Sequence, residues 1–185
     1  MTDLTALDPE RRMLLQTLAD RRQFLTGAAD GLTDEQARQA ATVSDLSIGG
    51  IIKHVAATEK SWIDFVLDGP DPNVDFMAME QIDWNDPATI PDWFIQRQDE
   101  FTLREDQTLA EILDDYREVA ARTEQVVADL DDLGVSHQLP QAPWDPEPGQ
   151  RSAREVLAHL IGETAQHAGH ADIIRETIDG KKSMA

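Results

Sequence analysis

The chain reads as an all-α protein, a four-helix bundle with additional short helices. Three observations predict it. Four long segments carry apolar residues at helical spacing, three Ser/Thr-x-x-Glu/Gln boxes mark helix starts, and alternating strand patterns are scarce. Each amphipathic helix needs cover for one apolar face, and a bundle covers all four at once.

The elements follow in order. Asp8-Pro9-Glu10 is an N-cap followed by Pro at the first helical position, where a missing N–H costs nothing. Leu14, Leu18, Leu25 and Ala28 then keep helical spacing up to a stop at Gly31. Thr33-Asp34-Glu35-Gln36 is a capping box that opens a short helix. Ser47 caps the second long helix, in which Ile51, Ile52, Val55, Trp62, Ile63, Val66 and Leu67 make a broad apolar side before Asp68-Gly69-Pro70 ends it.

Residues 69–107 form a less regular, variable insertion. Phe76, Met77, Met79 and Ile82 lie among acidic residues, and Asn85-Asp86-Pro87 breaks the chain. The methionines and the four tryptophans are expected to pack in the core. Trp93 to Phe101 is expected to be a short helix. Thr108-Leu109-Ala110-Glu111 opens the third long helix, carried by Ile112, Leu113, Tyr116, Val119, Val126, Val127 and Leu130. Residues 137–151, with Pro140, Pro143, Pro146 and Pro148, are expected to be a surface loop with His137 in solvent. Ser152-Ala153-Arg154-Glu155 starts the last long helix, which runs to the Asp179-Gly180 stop. The long connections allow crossovers, and the expectation is one domain over residues 1–185.

Composition narrows the function classes. Sixteen Lys and Arg against 36 Asp and Glu give a formal net charge of −20, which repels nucleic-acid phosphates and anionic lipid surfaces. The absence of cysteine excludes disulfides, thiolate nucleophiles and Cys-based zinc sites in the chain itself. The opening Met-Thr-Asp-Leu-Thr lacks a basic and apolar secretion signal, and no apolar run is long enough for a membrane span, so a cytoplasmic location is expected.

Three of the five histidines fall in the stretch His159 to His170, with Glu163 among them. At ~100° per residue, with His159 at zero, Glu163 falls near ~40°, His167 near ~80° and His170 near ~20°. The four share one face with Val156, Ile174 and Ile178, so that face is expected to point inward. Unpaired buried imidazoles and carboxylates cost kilocalories each, so they need partners. A divalent metal is one solution: Glu163 and His167, four apart, reach one ion together, while His170 is a further ligand or a hydrogen-bonding partner that orients one. His54, between Ile52 and Val55 on the second long helix, is the candidate ligand from across the bundle. Imidazole with carboxylate suits zinc, nickel, copper, iron or manganese. The alternative is a hydrogen-bonded polar network without metal.

Leu46 to Trp62 (LSIGGIIKHVAATEKSW) and His159 to Gly180 (HLIGETAQHAGHADIIRETIDG) together resemble the DinB-like superfamily of four-helix metal proteins. The resemblance is greatest to the actinobacterial branch that includes mycothiol-dependent enzymes. It implies a DinB-like fold, metal ligands at His54, Glu163 and His167, a divalent ion (zinc or nickel), and a homodimer. Many members have histidine at the position of Glu163; in departing to Glu the chain is similar to the mycothiol-dependent maleylpyruvate isomerases, and His170 competes for that third place. The implied activity is thiol transfer, with mycothiol as co-substrate and a small electrophile as acceptor.

Two classes of function are therefore expected. One is a metal-dependent thiol S-transferase, with a metal-dependent hydrolase or isomerase as its variant. In it His159 or His170 shuttles protons, Glu59 steadies the site, and Glu80 and Asp83 roof the pocket. The other is a non-catalytic, metal-stabilised dimeric stress protein, whose site His170 would close.

Overall fold

The computed structural model describes residues 4–182. Met1 to Asp3, on which part of the reading of the N-terminus rests, lie outside the described residues. The four long helices are α1 (Pro9–Gly27), α3 (Ile48–Asp68), α5 (Leu109–Asp129) and α6 (Ala153–Asp179); the shorter α2 (Asp34–Arg38) and α4 (Asp92–Asp99) stand between them. The helix starts follow from the sequence. Asp8 accepts from the backbone N–H groups of Glu10 and Arg11, and Ser47 from that of Gly50. Thr33, Thr108 and Ser152 each complete a reciprocal capping box. Gly180, at φ 77°, supplies the left-handed residue that stops α6. Only α1 ends early: it stops at Gly27 and passes through a turn to Gly31, also at positive φ.

Side chains at the helix ends fix the directions. Arg154 at the start of α6 pairs with Glu10 at the start of α1. Arg175 near the end of α6 donates to the carbonyls of Ala28 and Asp30 beyond the end of α1, at 2.8 and 2.9 Å. These two helices therefore run parallel. Arg11, at the start of α1, donates to Val127 O (3.0 Å) and Leu130 O (2.6 Å) at the end of α5, so α5 runs the opposite way. The first turns of α3 and α5 share a core with Leu25 and Ile174, which sets α3 parallel to α5. The order is up, down, down, up, and the second connection, from the end of α3 to the start of α5, must return along the bundle.

That core has two halves. Leu25, Ile48, Ile51, Ile52, Ile112, Tyr116 and Ile174 fill one, and Leu15, Leu18, Ile63, Val127, Leu157 and Leu160 the other. Between them lies a buried polar layer. Arg22 grips fully buried Glu59 through Nε to Oε2 (3.0 Å) and Nη2 to Oε1 (2.5 Å), and Thr123 donates to the same carboxylate. Burial drives the Tyr116 hydroxyl pKa upward and the Glu59 charge adds to it, so the phenol stays protonated.

Three expectations are corrected. The proline-rich segment is pinned at its base: β1 (Ser136–Gln138) pairs antiparallel with β2 (Gln150–Ser152). The four prolines lie between the strands, so they remove no N–H from the ladder. His137 is docked on the end of α3 instead of solvated, with Nε2 3.2 Å from Val66 O and its ring edge-on to Phe65. The insertion buries neither Met77 nor Met79 fully, and Trp84 and Trp144 are about two-thirds exposed. The aromatic side chains pack on one another: within the insertion Phe76 meets Trp93 and Phe94 meets Trp84 and Trp93, and Phe76 also meets Trp144 of the proline-rich segment.

Candidate metal centre

The buried stripe of α6 runs through Val156, Leu157, Leu160, Thr164, Ala171, Ile174 and Arg175. The histidine face is rotated to one side of that stripe, toward the seam with α3, because α6 packs on both α1 and α3. His159 is consequently exposed, not inward as its helical phase suggested. It stands edge-on to Trp62, whose ring also carries the Arg151 guanidinium at 5.0 Å.

One turn on, the seam closes over His54, Glu163 and His167. One ligand atom from each lies within 4.8 Å of the others. Glu163 Oε1 is 3.5 Å from His54 Nε2 and 3.2 Å from His167 Nε2. Two ligands at ~2.1 Å from one ion and a tetrahedral angle apart are separated by roughly 3.4 Å, so the donors fit a divalent cation. They fit a simple ion-pair network less well, because charge-assisted N–H···O bonds are about 2.7–2.9 Å. Burial holds the His167 imidazole below its ordinary pKa; Glu163 opposes the shift, and His54 and His170 add to it. A neutral imidazole is the form that binds metal.

The other expected residues are placed differently. The His170 ring centroid is 5.5 Å from that of His167, and His170 is outside the converging group. Glu59 turns away into the Arg22 pair. Glu80 and Asp83 are exposed, and Asp83 accepts from Asn85 in a local turn.

The insertion contributes what sequence reasoning missed. Phe101 stacks on His54 with centroids 3.8 Å apart and planes 20° apart, and Glu100 Oε2 lies 3.4 Å from His54 Nδ1. Thr58 Oγ1 is 3.4 Å from the other ring nitrogen. The signal was Gly49-Gly50 in the first turn of a helix, where glycine normally weakens the element. A Cβ on Gly49 would meet the Leu103 side chain at 2.6 Å, so the glycines exist to admit the segment that holds Phe101. A groove of about 620 Å³ between α3 and α5 contains none of the three donors. Its Asp64 is already paired with Lys60 and Arg122, so the chemistry belongs to the α3–α6 seam.

The sequence description of the family Mycothiol-S-transferase matches residues 13–180. The chain belongs to the mycothiol S-transferase family. Among solved structures it is similar to a conserved protein from Enterococcus faecalis, at 16% identity and a TM-score of 0.63, covering 95% of this chain and 100% of that one. At that identity the likeness shows the shared all-α, DinB-like fold. No curated protein matches the sequence. Among the described residues no helix is long and apolar enough to cross a membrane. Family membership gives the His/Glu group a context, and it leaves the ion and substrates to be argued from the residues.

Proposed function

We propose that this mycothiol S-transferase family member is a metal-dependent thiol S-transferase, with His54, Glu163 and His167 holding one divalent ion. The observation that carries the reading is the convergence of two Nε2 atoms on a single Glu163 oxygen. When bound, a divalent ion there lowers the pKa of a coordinated thiol or water. Three protein donors leave a position open, as in catalytic zinc sites. Zinc or nickel suits two imidazoles and a carboxylate.

The residues divide the remaining work. Phe101 excludes water from one face of His54 and fixes its plane. Glu163 keeps its oxygen between the two imidazoles, and partial exposure of this carboxylate leaves a way in for a small molecule. His170, whose buried Nδ1 has no partner among the described residues, stands beside His167 to take the proton a thiol gives up. The chain contains no cysteine, so the nucleophilic sulfur comes from a low-molecular-weight thiol, which family membership supports as mycothiol. Its acceptor is a small electrophile. The family resemblance also supports a homodimer.

The test is elemental analysis of wild type beside His54→Ala, followed by thiol consumption with monobromobimane. Near-stoichiometric metal lost in the variant, together with a metal-dependent rate with mycothiol, is expected. Little metal after reconstitution with zinc, nickel or manganese, or no rate with mycothiol, bacillithiol or glutathione, overturns the reading.

A further inference from the structure

We propose that Glu100, from the insertion, is a positioning residue of this centre. Its carboxylate accepts the Nδ1 proton of His54 and so leaves Nε2, the nitrogen facing Glu163, with the free lone pair. The inference rests on the metal-centre reading above and adds to it a residue outside the converging group.

Three observations carry it. His54 Nδ1 and Glu100 Oε2 face each other at 3.4 Å, and both atoms are buried without another partner among the described residues. A buried polar atom left unpaired is destabilising, so each has reason to take the other. The neighbouring Phe101 lies flat on the same imidazole, which keeps Nδ1 turned toward Glu100 and Nε2 toward Glu163. Finally, the segment is fastened on both sides of Glu100 and Phe101. Lys53 Nζ donates to Asp99 O and Asp99 Oδ2 (both 2.9 Å) and to Thr102 O (3.0 Å). The residue preceding His54 therefore anchors the segment that aligns His54.

A neutral imidazole has two tautomers, and the hydrogen bond at one nitrogen decides which nitrogen is left to bind. Partners of this kind are worth ~10–100-fold in metal affinity. Glu100 is a quarter exposed and closes the remaining distance by side-chain rotation.

The experiment uses the full chain as wild type, Glu100→Ala and Glu100→Gln, with two readouts. Long-range ¹H–¹⁵N correlation of His54 in metal-free protein reads the tautomer, and chelator competition reads the zinc dissociation constant. Wild type is expected to carry its proton on Nδ1. Glu100→Ala is expected to mix the tautomers and weaken zinc by ~10–100-fold. Glu100→Gln keeps an acceptor oxygen and the side-chain volume, so it retains the Nδ1–H tautomer with a smaller loss. A wild-type proton on Nε2, or alanine and glutamine variants within twofold of wild type in affinity with the tautomer unchanged, overturns the proposal. Should wild type bind no zinc, the metal reading fails, while the tautomer comparison still decides the role of Glu100.

Discussion

Gly50 and Phe101 meet backbone to backbone: a Cβ at position 50 would stand 1.9 Å from the Phe101 carbonyl oxygen. No rotamer relieves such a contact, because the obstructing atom is main chain. Gly50→Ala therefore pushes the 99–103 segment off α3 and should cost about 1–3 kcal/mol. Zinc affinity should fall with it as Phe101 leaves His54. Gly162→Ala is the control, since nothing lies within 4 Å of a Cβ there and helical alanine gains roughly 0.5–1 kcal/mol over glycine. Urea titrations with and without zinc read both effects.

The Arg22–Glu59 pair should show strong coupling. Removing one partner strands a buried charge, and Arg22→Met or Glu59→Leu alone is expected to cost about 3–5 kcal/mol. The double variant should lose less than the sum, because it strands nothing. Additive losses in chemical denaturation would show that the pair acts through packing alone.

Ligand binding should appear as stability. At a zinc concentration 100 times its Kd, a ligand confined to the folded state adds about 2.7 kcal/mol. A chelator should lower the Tm of wild type and leave His167→Ala unmoved. His170→Ala should keep the zinc-dependent shift, since His170 lies outside the converging group. Calorimetry on the three proteins decides it.

The histidines give the pH dependence its sign. Partial desolvation of the half-covered His159 ring beside Trp62 lowers its pKa below the ordinary value of 6.5, with Glu163 opposing and Arg151 assisting. The unfolded chain then binds the proton more readily, so the contribution is fully present above pH 6.5 and is lost as pH falls through the folded-state value. His167 shifts the same way. Metal-free protein should lose urea resistance on acidification just below pH 6.5, and His159→Gln should flatten that slope.

Much of this was legible because capping and periodicity are local. Thr108 and Ser152 announce their helices within four residues, and His54, Glu163 and His167 carry chemistry on recognisable faces. Helical phase alone misplaced His159. Which side of a helix is core depends on how many neighbours it has, and α6 has two. Glu100 was illegible for a different reason. Its role arises from a close approach between segments 46 residues apart in the chain, visible in sequence only as two glycines.

The parallel pairing of α1 with α6 has a consequence for synthesis. Glu10 and Arg154 are separated by 144 positions. At ~5–20 residues per second, α1 leaves the ribosome on the order of ten seconds before its chief neighbour is made. Its apolar side, with Leu15, Leu18 and Leu25, spends that interval without the surface that finally covers it. Such long-range closure slows folding relative to bundles wired neighbour to neighbour. The nascent chain thus presents its first helix to chaperones before Glu163 and His167 of α6 have been translated.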